Sequence, residues 1–177
     1  MKMLRMTVPV LALAALASAG CFLISGQFVV NYALPSPVTF NTTGTFQGEL
    51  VDLNTISEYS DHKTELKRVD DLALVGKFTN NGTGPVQVEA WIAPNATSDP
   101  TAPVVGAVKL WGPLTVAAGA TVNVDWNKSS SLFVGRQTLI DEIKGDGVFG
   151  LYLTAVSSPY NVTVTDGVLI AVIGAAK

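Results

Sequence analysis

The sequence predicts a mainly β protein, an antiparallel two-sheet β-sandwich carrying two short helices. Three observations predict it. Short runs of alternating apolar and polar residues recur along the chain, as half-buried strands require. Clusters of Gly, Pro and Asn separate those runs. The composition is 48% hydrophobic and only 14% charged, too apolar for a disordered chain and too weakly charged for a coiled coil. A length of 177 residues favours one domain. A domain of roughly 150 residues buries about 70% of its unfolded surface and needs no covalent staple. The net charge of −3 gives no basic surface for nucleic acid. One Cys and one His exclude a disulfide framework and a Cys/His metal cluster.

The first segment reads as an export signal. Lys2 and Arg5 form a basic start, and an apolar run follows from Val8 to Ala19. It closes on small residues and a cysteine, Ala17-Ser18-Ala19-Gly20-Cys21. Residues 27–32 then read as a first strand, and 32–37, with Pro35 and Pro37, as a tether or turn.

Phe46, Gly48 and Leu50 alternate with Thr45, Gln47 and Glu49, a strand within 44–52. Eight charged residues crowd between Glu58 and Asp71. With Tyr59, Leu66 and Val69 on one helical face and Ser57 or Ser60 as cap, residues 58–69 are expected to form a helix. Strands resume at 71–79 and 86–92. Between them Asn80-Asn81-Gly82-Thr83-Gly84 is a turn signal, because Asn and Gly tolerate positive φ, and the pair is expected to be a hairpin. In its second strand Val86, Val88, Ala90 and Ile92 face one way, Gln87, Glu89 and Trp91 the other.

A Pro-rich loop over 94–103 precedes strands at 104–111 and 115–126. A second helix is expected over 131–144, with Leu132, Leu139, Ile140 and Ile143 as its apolar face and Lys144-Gly145 at its end. Strands at 148–156 and 161–173 close the chain, divided by Ser157-Ser158-Pro159. The last is too short and too β-branched to be a membrane helix. The expected organisation is a signal peptide over 1–20, an N-terminal strand and tether over 21–37, and the sandwich over 38–177.

Two resemblances add to this reading. The segment 17–21 resembles a bacterial lipobox. That resemblance implies cleavage before Cys21, a diacylglyceryl group on its thiol, and a palmitate-bearing lipoprotein with a membrane-bound N-terminus. Ser18 stands where Leu is commoner, and Phe22-Leu23-Ile24 where small polar residues are usual. By the same resemblance Phe22, in place of an inner-membrane-retaining Asp, favours the outer membrane. The rival is an uncleaved transmembrane anchor, since no charge occurs between Arg5 and Glu49 and the stretch from Val8 to Val30 is long enough to span a bilayer. Separately, Phe78-Thr79-Asn80-Asn81-Gly82 and Leu114 to Val122, with its Ala118-Gly119 turn, resemble bacterial immunoglobulin-like domains over residues 71–126. This implies a fold and no activity.

Candidate chemistry is thin. His62 lies among surface charges, and no Gly-x-Ser-x-Gly elbow or phosphate-cradling loop occurs. Asp70/Asp71 and Asp141/Glu142 are carboxylate pairs of the kind glycosidases use, but adjacent helical carboxylates normally sit in water. Asp52, Asn54, Asp70 and Asp71 offer oxygens to calcium without the spacing of a calcium loop. Trp91, Trp111 and Trp126 are a candidate platform for stacking sugars, with core packing as the competing use. Asn-x-Ser/Thr sequons at Asn41, Asn81, Asn95, Asn127 and Asn161 would be silent behind a bacterial lipobox. The expectation is therefore a non-enzymatic envelope lipoprotein without cofactor or metal, its sandwich binding or scaffolding another envelope protein or glycan. A carbohydrate-binding or adhesion module is the alternative, and an enzyme using His62 and Asp70 ranks last.

Overall fold

The computed structural model describes residues 26–42, 48–156 and 159–175. The fold is the expected β-sandwich of two antiparallel sheets. Its strands are β1 (Gly26–Ala33), β2 (Val38–Asn41), β3 (Gly48–Asp52), β4 (Leu66–Asn80), β5 (Val86–Pro94), β6 (Val108–Val116), β7 (Thr121–Val124), β8 (Val148–Ala155) and β9 (Asn161–Ala175). Three short α-helices accompany them: α1 (Ser57–Ser60), α2 (Trp126–Ser130) and α3 (Arg136–Lys144). In sheet A the order is β1-β9-β4-β7, with β2 also on β9 beyond the end of β1. In sheet B it is β3-β8-β5-β6.

Period-2 patterning decides which side chains meet between the sheets. Leu169, Ala171 and Ile173 of β9 point inward with Leu72 and Leu74 of β4 and Val30 of β1, all buried. Val86, Val88, Ala90 and Ile92 do the same from β5, as their alternation predicts. Phe78 of β4 and Trp111 of β6 stack across the gap, with ring centroids 5.5 Å apart.

Several expectations need correcting. The helix expected over 58–69 is one turn at α1 and a 3-10 turn at Lys63–Glu65, and Leu66 already opens β4. Leu66 pairs with Ala175, and Val69 with Ile173. Their spacing fitted a helical face, but backbone pairing with β9 competes more strongly for these residues. The 80–84 turn does not join a hairpin. β4 lies in sheet A and β5 in sheet B, so the turn carries the chain from one sheet to the other. The turn at 117–120 does the same, and β8 and β9 likewise lie in different sheets.

The strand expected over 104–111 starts at Val108 and runs on to Val116, through a bulge at Gly112 with φ +104°. A Cβ at that glycine would lie 2.6 Å from the Val88 carbonyl oxygen, so only glycine fits there. Consequently the strand expected over 115–126 is divided. Its first residues end β6, β7 is only four residues long, and Trp126 begins α2. The helix expected over 131–144 shortens to α3, and α2 precedes it as a third helix. β2, within the segment assigned to the sandwich, is a strand the sequence did not announce. The sandwich itself begins before residue 38, because β1 pairs with β9 along its whole length.

Two buried polar side chains organise these crossings. Asn80 is fully buried, and its Nδ2 donates to the carbonyls of Gly84, Val116 and Ala117 at 2.8, 3.1 and 3.2 Å. Its Oδ1 accepts from the Gly82 amide at 2.9 Å. One carboxamide thus ties the β4–β5 crossing to the β6–β7 crossing. At the other end of short β7, β4 has no strand neighbour, and α2 takes the place. The fully buried Ser129 hydroxyl accepts from the Leu74 amide at 2.6 Å and from Trp111 Nε1 at 3.2 Å. α3 packs beside it, burying Leu139 and Ile143.

Replacing Asn80 by Ala is expected to cost at least about 2 kcal/mol, because buried backbone groups lose their partners. Asn80→Asp should cost more, since a carboxylate would face carbonyl oxygens with no proton to donate. Urea unfolding followed by Trp fluorescence measures both. Ser129→Ala is expected to cost about 1–3 kcal/mol in the same assay.

Candidate functional site

The lipidation candidate Cys21 lies outside the described residues, as does all of 1–25. What the structure positions is the strand that follows it. β1 begins at Gly26, opposite Ala175 and one strand away from Leu66, so the start of β1, the end of β9 and the start of β4 share one end of the sandwich. Polar groups crowd this end. Gln27 Nε2 donates to Asp70 at 2.7 Å, and Arg68 Nε pairs with the same carboxylate. The His62 ring sits 5.1 Å from that of Phe28, and its Nδ1 is 3.6 Å from Glu65. The Arg68 and Gln27 bonds hold the Asp70 carboxyl below its ordinary range.

The three tryptophans do not form one platform. Trp111 is fully buried between the sheets and donates to the Ser129 carbonyl at 3.1 Å, so it cannot reach a sugar. Trp126 is half-buried at the start of α2 and donates to Asp71 at 3.0 Å. Trp91 faces outward on sheet B and lies nearly parallel to Tyr152, its register partner on β8, with centroids 6.4 Å apart. Its Nε1 donates to Glu89 at 3.1 Å, and Lys109 holds the other oxygen of that buried carboxylate at 2.8 Å. The alternation of β5 identifies Trp91 as outward. No local signal marks the inward turn of Trp111, because the bulge at Gly112 shifts the period of β6.

The calcium candidates separate into two places. Asp52 Oδ1 accepts from the backbone amide and the Nδ2 of Asn54, forming the cap of a 3-10 turn. Asn54 Oδ1 accepts from Lys63 Nζ at 2.9 Å. Asp71 instead accepts from the Leu72 amide at 2.8 Å, from Trp126, and from Arg136 Nη1 at 3.2 Å. Arg136 Nη2 also donates to the Asp70 carbonyl at 2.7 Å, locking α3 onto the irregular part of β4. Among the described residues no three His, Cys, Asp or Glu side chains converge to hold a metal ion. In the other carboxylate pair, Asp141 accepts from Gln137 at 2.7 Å, and burial pushes Glu142 up.

A cleft opens where the β1–β2 connection passes sheet B. Leu34, Pro35 and Val38 line one side, Gly48, Glu49 and Leu153 the other. The Tyr32 phenol donates to Glu49 at 2.7 Å, and the Asp99 carboxylate accepts from the Leu50 amide at 2.8 Å, capping the free edge of β3. Burial, then the hydrogen-bonded Glu49, push the Tyr32 phenol far above its usual range. Burial also raises Glu49, against the opposing hydrogen bond from Tyr32. Pro100 packs against sheet B over two glycines, its Cγ 2.9 Å from where a Cβ on Gly150 would stand. The phenol–carboxylate bond ties β1 to the edge of β3.

No protein-family model matches the chain. None of the curated proteins compared with it is significantly similar.

Acid sensitivity follows from Asp71. Burial works to raise its carboxyl, but the Leu72 amide, Arg136 and Trp126 outweigh it and hold it below its ordinary value. A depressed folded-state value contributes stability above the unfolded value, and that stability is lost as pH falls through the folded one. Asp71→Asn is therefore expected to lower the melting temperature at neutral pH and to flatten its decline below about pH 4. Thermal melts across a pH series check this, and parallel curves for both proteins would refute it.

Proposed function

We propose that the chain is a lipid-anchored, non-enzymatic protein of the bacterial cell envelope, whose β-sandwich binds or scaffolds another envelope component. The observation that carries this reading is the juxtaposition of Ala17-Ser18-Ala19-Gly20-Cys21 in the sequence with β1, which is paired in sheet A from Gly26. A thiol acylated at that position, with two chains in its diacylglyceryl group, suffices for stable membrane attachment. Supporting it, the Tyr32, Asp71, Asp99 and Ser129 side chains hold strand edges and helices in place. Among the described residues no helix is long and apolar enough to cross a membrane. The outer membrane is the favoured location, on the identity of Phe22.

A second reading, a carbohydrate-binding or adhesion module, is favoured by one feature. Half-buried Trp91 lies on the outer side of sheet B, stacked against Tyr152, which is itself buried. Amphipathic rings of this kind stack on pyranose faces. Envelope glycans that quench Trp fluorescence in the native protein but not in Trp91→Ala would favour it over the scaffold reading.

Metabolic labelling tests the anchor. Cells fed an alkyne-bearing palmitate should label the full chain, and Cys21→Ser should abolish the label. Equal labelling of both proteins, or of neither, would overturn the lipoprotein assignment.

A further inference from the structure

The outward side of sheet A carries a row of apolar side chains. Along β9, Val168, Ile170 and Val172 alternate with the buried Leu169, Ala171 and Ile173, so all three point away from the core. Register places Val29 beside Val172, Ala33 beside Val168, and Val75 on the other flank of Val168. Cross-strand partners share a face, so these six side chains form one continuous apolar surface over three strands. Val29 is 45% exposed. Polar residues frame the surface: Gln27, Arg68 and Asp70 at one end, the Lys77–Asp166 pair at the other. Asp71, on the rung of Val29 and Val172, has its charge met by hydrogen bonds from Trp126 and Arg136, its side chain 38% exposed. Asn31, beside Ile170, is the one uncharged polar group within the apolar area.

We infer that this face of sheet A lies against the lipid surface that holds the N-terminus. The inference rests on the anchored-protein reading above. Four residues separate Cys21 from Gly26, and the five Cα–Cα steps limit the distance between anchor and β1 to about 18 Å. The domain therefore has little freedom to stand away from the bilayer. An end-on arrangement would press Glu58, Asp61, Glu65 and Asp70 toward the headgroups, against only Lys63, Lys67 and Arg68. Lying on sheet A instead puts valines and isoleucine at the headgroup boundary, with the half-buried Trp126 indole beside them. Such an amphipathic ring suits that boundary. The face carries no excess of basic residues, so contact should form on zwitterionic lipid and depend little on salt.

The test uses the full-length protein extracted from membranes and reconstituted into phosphatidylcholine vesicles. An environment-sensitive fluorophore is placed on Val29→Cys, on Ile170→Cys, and on Thr115→Cys of the outer side of sheet B as control. The expected result is blue-shifted emission at 29 and 170 that bromolipids quench, with neither effect at 115. Unquenched, water-like emission at all three positions would overturn the inference. So would shielding at 29 and 170 that bromolipids leave unquenched, because another protein copy would then cover the face. Intact mass of each labelled sample reports acylation at Cys21 separately, so failure of the anchor and failure of the face are distinguishable.

Discussion

The fold depends on one carboxamide. Asn80 sits where a strand of sheet A ends and the chain passes to sheet B, and its side chain also reaches the later crossing from β6 to β7. Every polar atom of the group is used, inside a region from which water is excluded. Buried amides of this kind are costly unless fully satisfied, so the arrangement leaves the two crossings few alternative geometries. With both fixed, β4 and β5 face each other across the core, and Phe78 meets Trp111.

The second constraint is an absence of length. β7 covers only the Gly76 to Thr79 part of β4, and the lower half of that strand would expose unpaired amides and carbonyls. Open edges of this sort invite unwanted pairing. Here Ser129, Arg136 and the Asp71 carboxylate supply side-chain partners in place of a strand, while α2 and α3 fill the volume. The opposite sheet is treated similarly, with Asp99 on β3 and residues 132–135 along β6, where the amides of Val134 and Gly135 meet the Leu110 carbonyl.

Much of this was legible in the residues. Alternation located β5 and parts of β3, β4 and β7, strand-like apolar runs located β1, β8 and β9, and the β-sandwich class followed from their number and spacing. What alternation could not reveal was partnership. Asn80-Asn81-Gly82 has hairpin chemistry, yet the fate of its flanking strands depends on Asn80 being buried, a tertiary fact. The charged run around 58–71 fitted a helical period, but non-local pairing of Leu66 and Val69 with β9 prevailed over that local preference. Gly112 shifted the phase of β6, and with it the side to which Trp111 points. The candidate platform failed at that residue for the same reason. Trp91 stayed legible because β5 keeps its period around it.

The long strand β9 connects fold to proposed role. Its inward residues hold β1, β4 and the core together, and its outward residues give sheet A its apolar side. β1, the strand closest to Cys21, hangs on β9 through all eight of its residues. An anchor on Cys21 would therefore pull on the most central strand of the domain through a very short link. The intact mass of the membrane-extracted protein tests this account most directly. The account predicts a chain that lacks residues 1–20 and carries a diacylglyceryl-sized addition, absent when Cys21 is replaced by Ser. An unprocessed mass, equal for both proteins, would contradict it and make the apolar N-terminal segment itself the anchor.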